Sequence, residues 1–382
     1  MAKPIKILFV SHMNPMSASF GAEQRTNIIF NAFRQLGANI DIAYLGDNPI
    51  ISDAGMSGKV YDLSSIEKRF SKGANIRRLL LLNMFPKSQG WAEGVGELIE
   101  ANQYDYIFCR YLPYAALCGL KRYGNRLLLD IDDMPEQALQ IDFASKKGLK
   151  RLYFKALRYA YGRDTKHWIS KCKCCFVPNK AQAVKFNVDY LPNISSFWSK
   201  DNSSSNHVLL FVGKLDWKPN KEGIIRFLQN CWSVIKDSIP DASLLVAGKG
   251  FSETEKNEIE NKYRDVNILG FVEDLTDFYK NGNIVICPIY SGAGTNIKIV
   301  EALSMSKALI TSKESVKGYE DFLKDGLNCM IASSDDEFAH KTIYLLEHES
   351  MIKKISQKGH EDAIAQYSFD SIVNILKSHI EP

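Results

Sequence analysis

No stretch of this 382-residue chain stays apolar for the roughly 18 to 20 residues that a membrane-spanning helix requires. The opening residues, MAKPIKILFVS, make a short basic lead into a strand and lack the features of a secretory leader, so a cytoplasmic location is the expectation. Excess charge is scarce too. Forty-eight Lys and Arg against 44 Asp and Glu leave a formal net charge of +4, with no basic tail, and no nucleic-acid partner is expected. The eight cysteines sit mostly in apolar, strand-like contexts, where a reduced thiol behaves as a small hydrophobe. Cys172, Cys174 and Cys175 cluster without Cys-x-x-Cys spacing or a second ligand pair close by in sequence, so no metal is expected.

What is present fits a globular chain long enough for two domains: 45% hydrophobic and 24% charged residues. IKILFVS from Ile5 is an almost unbroken apolar run, as in a parallel strand buried on both faces. A polar loop, a helix over about Ala22 to Leu36 closed by Gly37, and the strand NIDIAYL follow it. Strand, loop, helix and strand within about forty residues make a Rossmann-like unit. Further strands are predicted at YDYIFCR, RLLLDIDD and CCFVP, with the carboxylates of Asp130, Asp132 and Asp133 at a strand end. Arg77 to Leu82 is predicted as a helix whose leucines pack inward, with a membrane-touching patch as the alternative. The Lys- and Arg-rich segment from Lys146 to Lys171 is either a half-buried helix or a surface that leans on anionic lipid. A Ser- and Asn-rich stretch, SSFWSKDNSSSNH, reads as a linker.

After it the pattern recurs. HVLLFV runs straight into Gly213-Lys214, and a lysine on the loop after a parallel strand reaches the edge of the sheet where anions bind. A solvated surface lysine is the other reading. Later, Tyr290 to Thr311 reads YSGAGTNIKIVEALSMSKALIT, a glycine-rich turn entering an apolar-periodic helix. Unpaired amides and the dipole at such a start suit a phosphate over Gly292 to Asn296. Glu301, seven residues past Gly294, is expected on the same face about 10 Å along the axis, in reach of ribose hydroxyls.

With these segments in this order the chain resembles family 4 of the glycosyltransferases over nearly all its length, thinning between about Tyr61 and Gly90. The resemblance implies a GT-B fold of α/β class: two Rossmann-like parallel-sheet domains facing across a cleft, residues 1–195 on the acceptor side and 206–364 binding the nucleotide sugar. A C-terminal helix, 365–382, would cross back to the first domain. It implies retaining transfer from a UDP- or GDP-sugar to a glycan or lipid-linked acceptor in surface polysaccharide or glycoconjugate synthesis, without a metal cofactor. Gly21 takes the position of the N-terminal glycine loop, with Ala22 where a second glycine is usual, and Lys214 that of the first diphosphate-holding cation. Asn220 or Lys221 takes the second. Gly292, Gly294, Thr295 and Asn296 would hold the donor, Glu301 the ribose, and main-chain atoms near Phe271 and Val272 the base; Asp132 and Asp133 fall on the acceptor side. Ala293 stands where many members carry a sugar-contacting Glu. Two other readings stay open: a non-catalytic glycan-binding or scaffold protein of the same fold, and a nucleotide-sugar epimerase.

Overall fold

The computed structural model describes residues 4–17, 21–47, 58–71, 73–132, 134–135, 147–200, 207–292 and 295–380. Its contacts divide the chain into two compact units, Met1–Pro192 with Phe369–Pro382, and Asn193–Ser368.

Unit 1 is built on seven parallel strands: β1 (Lys6–Ser11), β2 (Asn39–Tyr44), β3 (Val60–Asp62), β4 (Tyr106–Arg110), β5 (Leu127–Asp130), β6 (Cys174–Val177) and β7 (Asp189–Tyr190). Their order is β3-β2-β1-β4-β5-β6-β7, so the sheet winds outward in both directions from β1 and β4. Alternation along β1 splits the core. Phe9 meets Phe30 and Phe108 on one face, under the helix Gly21–Gln35, while Leu8 and Val10 join the cluster of Trp91, Val95 and Ile99. Each such side chain taken wholly out of water contributes about 1.5–3 kcal/mol. The final helix, Phe369–Ile380, lies against Gly21–Gln35 within this unit.

Unit 2 repeats the plan with six parallel strands: β8 (Val208–Val212), β9 (Ser243–Ala247), β10 (Val266–Gly270), β11 (Ile284–Cys287), β12 (Ala308–Ser312) and β13 (Met330–Ala332). The order β10-β9-β8-β11-β12-β13 reverses direction between β8 and β11. On one face the helix Asp335–Glu347 meets Trp232–Ser238 and Lys218–Asn230; elsewhere Ile297–Ser304 packs on Glu349–Tyr367. That last contact is close because Gly359 has no side chain: a Cβ there would stand 2.6 Å from Leu303 and 2.9 Å from the Asn328 carbonyl oxygen.

Two expectations change. The helix near Arg77 is Ala74–Leu79, six residues long, and the chain leaves it through Leu81 at φ +57°. Leu79, Leu80 and Leu82 are consequently exposed rather than packed inward. The Ser-rich stretch does not hang free over its described part. Ile194 and Ser195 are buried, the Ser199 amide donates to the Ser304 carbonyl at 3.0 Å, and Trp198 meets His360 edge-on, all within unit 2. Serine content suggested solvent, but the hydroxyls cap and bridge backbone here, and the aromatic residues among them supply the packing.

Candidate functional site

In an open parallel sheet, the carboxyl ends of the strands flanking the reversal leave a crevice that neighbouring connections do not fill. In unit 2 those strands are β8 and β11, and the loops that follow them carry Gly213-Lys214 and Ile289 to Gly292.

The loops after β8, β9 and β10 are sewn together backbone to backbone. Gly213 N–H donates to the Ala247 carbonyl at 3.0 Å, Leu215 N–H to Lys249 at 2.7 Å, and Gly248 N–H to Gly270 at 2.7 Å. Glycine is required there: at φ +145° a Cβ on Gly248 would lie 1.8 Å from the Gly213 carbonyl oxygen, and one on Gly250 would lie 2.0 Å from the Asp216 nitrogen. The Gly-Lys-Gly segment therefore fixes the floor beside Lys214. Lys214 itself is exposed and lies 3.5 Å from Asp216. Lys214, Asp216, Trp217 and Asn220 line a cavity of about 350 Å³.

Of the two residues proposed for the second cation position, Asn220 is the one at this cavity. Its amide donates to the Lys214 carbonyl at 2.9 Å and its oxygen accepts from Lys298 Nζ at 2.6 Å. Lys221 is held elsewhere, 2.6 Å from Glu255. A positive charge does reach Asn220, but from Lys298, which sequence reasoning passed over as one more residue of an apolar-periodic helix. Lys298 is 6% exposed, and its Nζ would be 3.0 Å from a Cβ on Gly213. Burial holds its pKa below the usual lysine range. The signal available beforehand was a lysine three residues before Glu301, on one helix face.

Glu301 is 4% exposed in the middle of Ile297–Ser304. Burial pushes its pKa up to about 7, against the opposing pull of the Lys298 charge and the Tyr279 hydroxyl. Tyr279 is itself fully buried. The helix opens only at Ile297, with Asn296 as its N-cap, so Glu301 lies about 6 Å from the helix start. The 10 Å helical spacing from Gly294 does not apply. Asn296 caps no amide with its side chain, which donates instead to the Ser315 carbonyl at 3.2 Å, leaving the first-turn amides without that cap. Thr295 Oγ1 accepts from Asn193 Nδ2 at 3.0 Å. Gly292 adopts φ +128° and is exposed; Ala293 and Gly294 lie outside the described residues. Phe271 is exposed just past the end of β10 under Lys249 Nζ, 4.4 Å from its ring centre, and Val272, half-buried, follows it.

Ser306, where the resembling family usually has Gly, ends this helix at φ +53°. Ser306 N–H donates to the Leu303 carbonyl and Lys307 N–H to that of Ala302, the paired bonds of a Schellman stop. A left-handed residue is needed at this point, which accounts for glycine as the usual choice.

In unit 1 the corresponding strand ends belong to β1 and β4. Gly21 opens the helix Gly21–Gln35, and its loop partner Phe20 lies outside the described residues. Asp132 sits just past β5 at φ +59°, accepting from Arg110 Nη2 at 2.6 Å, and that guanidinium overcomes burial to hold its carboxyl below the ordinary range. Asp133 lies outside the described residues. The more tightly held carboxylate is Asp130, buried between Arg25 and Arg110: Arg25 Nη2 to Oδ1 is 2.7 Å, Arg25 Nε to Oδ2 is 3.0 Å, and Arg110 Nη1 to Oδ2 is 3.2 Å. Asp130 thus fastens helix to sheet and is not free for a ligand. His12, at the end of β1, stacks on Tyr114 with ring centres 3.8 Å apart, and burial with the charges of Arg110 and Lys68 lowers its pKa to about 4.

Residues 206–348 match the family profile described as glycosyl transferases group 1. An uncharacterized 44.6 kDa protein in the cps region of Klebsiella pneumoniae is 24% identical over 273 residues, 66% of this chain and 68% of that one. Among solved structures, sucrose-phosphate synthase from Thermosynechococcus elongatus superposes with a TM-score of 0.69 at 14% identity, covering 98% of both chains. HepE from Anabaena, solved in complex with UDP and glucose, gives 0.68 at 14% identity, again over 98% of both. Two parallel-sheet units with such neighbours fit the GT-B fold.

Proposed function

We propose that this protein is a retaining glycosyltransferase that moves a sugar from a UDP- or GDP-sugar to a glycan or lipid-linked acceptor, in surface polysaccharide or glycoconjugate synthesis. The observation that carries this reading is Glu301, a buried carboxylate set one turn beyond Lys298 at the reversal point of a parallel sheet. Its ionisation is costly as it stands. Two pentose hydroxyls would supply the donors that make the charged form stable. The profile match over residues 206–348, a neighbour solved with UDP and glucose, and a relative in a cps region support the same reading.

In this reading the diphosphate lies at the Gly213-Lys214 loop and the amides from Gly292 to Ile297. Lys214 supplies mobile charge from solvent, while Lys298 supplies fixed charge from behind through Asn220. The acceptor hydroxyl attacks on the face that the diphosphate leaves, and a phosphate oxygen takes its proton. No enzymic nucleophile is needed, so rate comes from positioning and charge stabilisation. With alanine at position 293 that carboxylate contact is missing, and the donor sugar falls to backbone amides at 294–296 or to other residues.

A peripheral membrane contact belongs to the proposal as well. Exposed Leu79, Leu80 and Leu82 beside Arg77 and Arg78 join exposed Leu149, Leu152 and Tyr159 on the basic helix Gly148–Ile169. Arg163 Nη2 donates to the Leu81 carbonyl at 2.9 Å, so the two segments touch within unit 1. Anionic lipid attracts about 1 kcal/mol per basic residue near it. Co-sedimentation with anionic but not neutral vesicles is expected; equal pelleting with both, or pelleting with neither, removes this contact.

Calorimetry with UDP and GDP, followed by a nucleotide-sugar screen for slow hydrolysis, tests the enzyme reading. Binding of one nucleotide together with release of its sugar is the expected result. A protein that binds neither is a scaffold of the same fold, and one that isomerises the donor with no acceptor present is an epimerase.

A further inference from the structure

At the β7 edge of the unit 1 sheet, three potential metal ligands from three elements converge. Cys174 lies on β6, Asp189 on β7 and His379 in the last turn of Phe369–Ile380. Cys174 Sγ donates to Asp189 Oδ2 at 2.9 Å and lies 4.0 Å from His379 Nε2, which is 3.7 Å from Asp189 Oδ1. In a tetrahedral zinc site, with Zn–S about 2.3 Å and Zn–N or Zn–O about 2.0 Å, such atoms stand about 3.3–3.6 Å apart. Small rotamer shifts bridge the difference.

We propose that Cys174, Asp189 and His379 form a Zn²⁺ site that clips the C-terminal helix to the edge of the sheet. The donor set matches the ion in charge: one thiolate and one carboxylate balance two positive charges, and the neutral imidazole completes a borderline-soft N, O, S set. On binding, the Cys174 S–H bond breaks, its proton leaves to solvent, and zinc replaces the hydrogen bond that now joins the thiol to Asp189. Cys174 and Asp189 also line a cavity of about 490 Å³, which leaves room for a water as fourth ligand. The imidazole is already oriented, edge-on to Phe176 at 5.2 Å between ring centres. Since Phe176 pairs in register with Asp189, and Cys174 is two residues before it, all three groups address one face of the sheet. Lys166, Lys173 and Lys185 line the same cavity, and their charge limits affinity without supplying a competing ligand.

The sequence pointed away from zinc because no second ligand pair follows the cysteines. Folding brings the other two from 15 and 205 residues away.

The test uses the full chain and Zn²⁺ itself, titrated against a chromophoric chelator. Wild-type protein is expected to hold about one zinc, and Cys174→Ser, Asp189→Asn and His379→Gln each to weaken it by about tenfold or more. Cobalt-loaded wild type is expected to show a near-ultraviolet thiolate-to-metal band that Cys174→Ser lacks. Zinc is further expected to slow amide exchange in residues 369–380 of the wild type only. His379→Gln leaves both strands untouched, so it reports even if a strand variant misfolds. Zinc uptake equal in wild type and His379→Gln, or no thiolate band with cobalt, overturns the site.

Discussion

In the proposed function Glu301 both binds a ligand and sits in a core, and these demands conflict in a measurable way. A folded-state pKa of about 7 against an ordinary 4.5 means that between those values the folded protein holds a proton the unfolded chain has released. The contribution of Glu301 to stability is therefore greatest below about pH 4.5, falls as pH rises toward 7, and is flat beyond. At about 1.4 kcal/mol per pH unit the total is about 3 kcal/mol. Glu301→Gln keeps the shape and cannot ionise. Urea unfolding of both proteins from pH 4.5 to 8 is expected to give profiles that converge at the acid end, with the variant more stable by about 3 kcal/mol at pH 8. The same variant is expected to bind the nucleotide about tenfold to a hundredfold more weakly, since a hydrogen bond to a charged acceptor is worth about 1.5–3 kcal/mol. A protein made firmer by losing its ligand grip is the usual sign of a site residue. Parallel pH profiles would refute the buried-carboxylate argument, and unchanged nucleotide affinity would refute its role.

Lys214→Ala removes an exposed charge, so unfolding midpoints are expected to stay within about 0.5 kcal/mol of wild type while turnover falls about a hundredfold; comparable turnover removes Lys214 from the site. Gly248→Ala forces a Cβ to within 1.8 Å of the Gly213 carbonyl oxygen at φ +145°, and a loss of about 3 kcal/mol or more is expected in chemical denaturation. Arg25→Ala strands the buried Asp130 carboxylate with one of its two arginines, at an expected cost of about 3–5 kcal/mol, read from the same measurement.

The architecture was legible because its signals are local. Ile5 to Ser11 and His207 to Val212 are apolar runs that differ from the observed strands by a residue at one end, and Gly213-Lys214 follows β8 directly. Asn220 against Lys221 was not decidable, since adjacent residues on a helix start point about 100° apart and only the packed helix selects one. Lys298 was hidden for a related reason: a lysine in an amphipathic helix reads as solvated until the partner that buries it, Asn220, is in place. The exposed leucines after Ala74 misled because four apolar residues in a row carry no periodicity to say which way they face.

By itself the sequence determined two winding α/β units, the glycine-tight loops at their strand ends, and Glu301 on the helix after β11, because each follows from neighbours along the chain. Only the tertiary structure decided which cation stands behind Asn220, that Asp130 is consumed between two arginines, and that Cys174 meets Asp189 and His379. Those groups come from strands and helices far apart in sequence. Their meeting depends on strand order and helix docking, which burial of the whole core sets and no local pattern encodes.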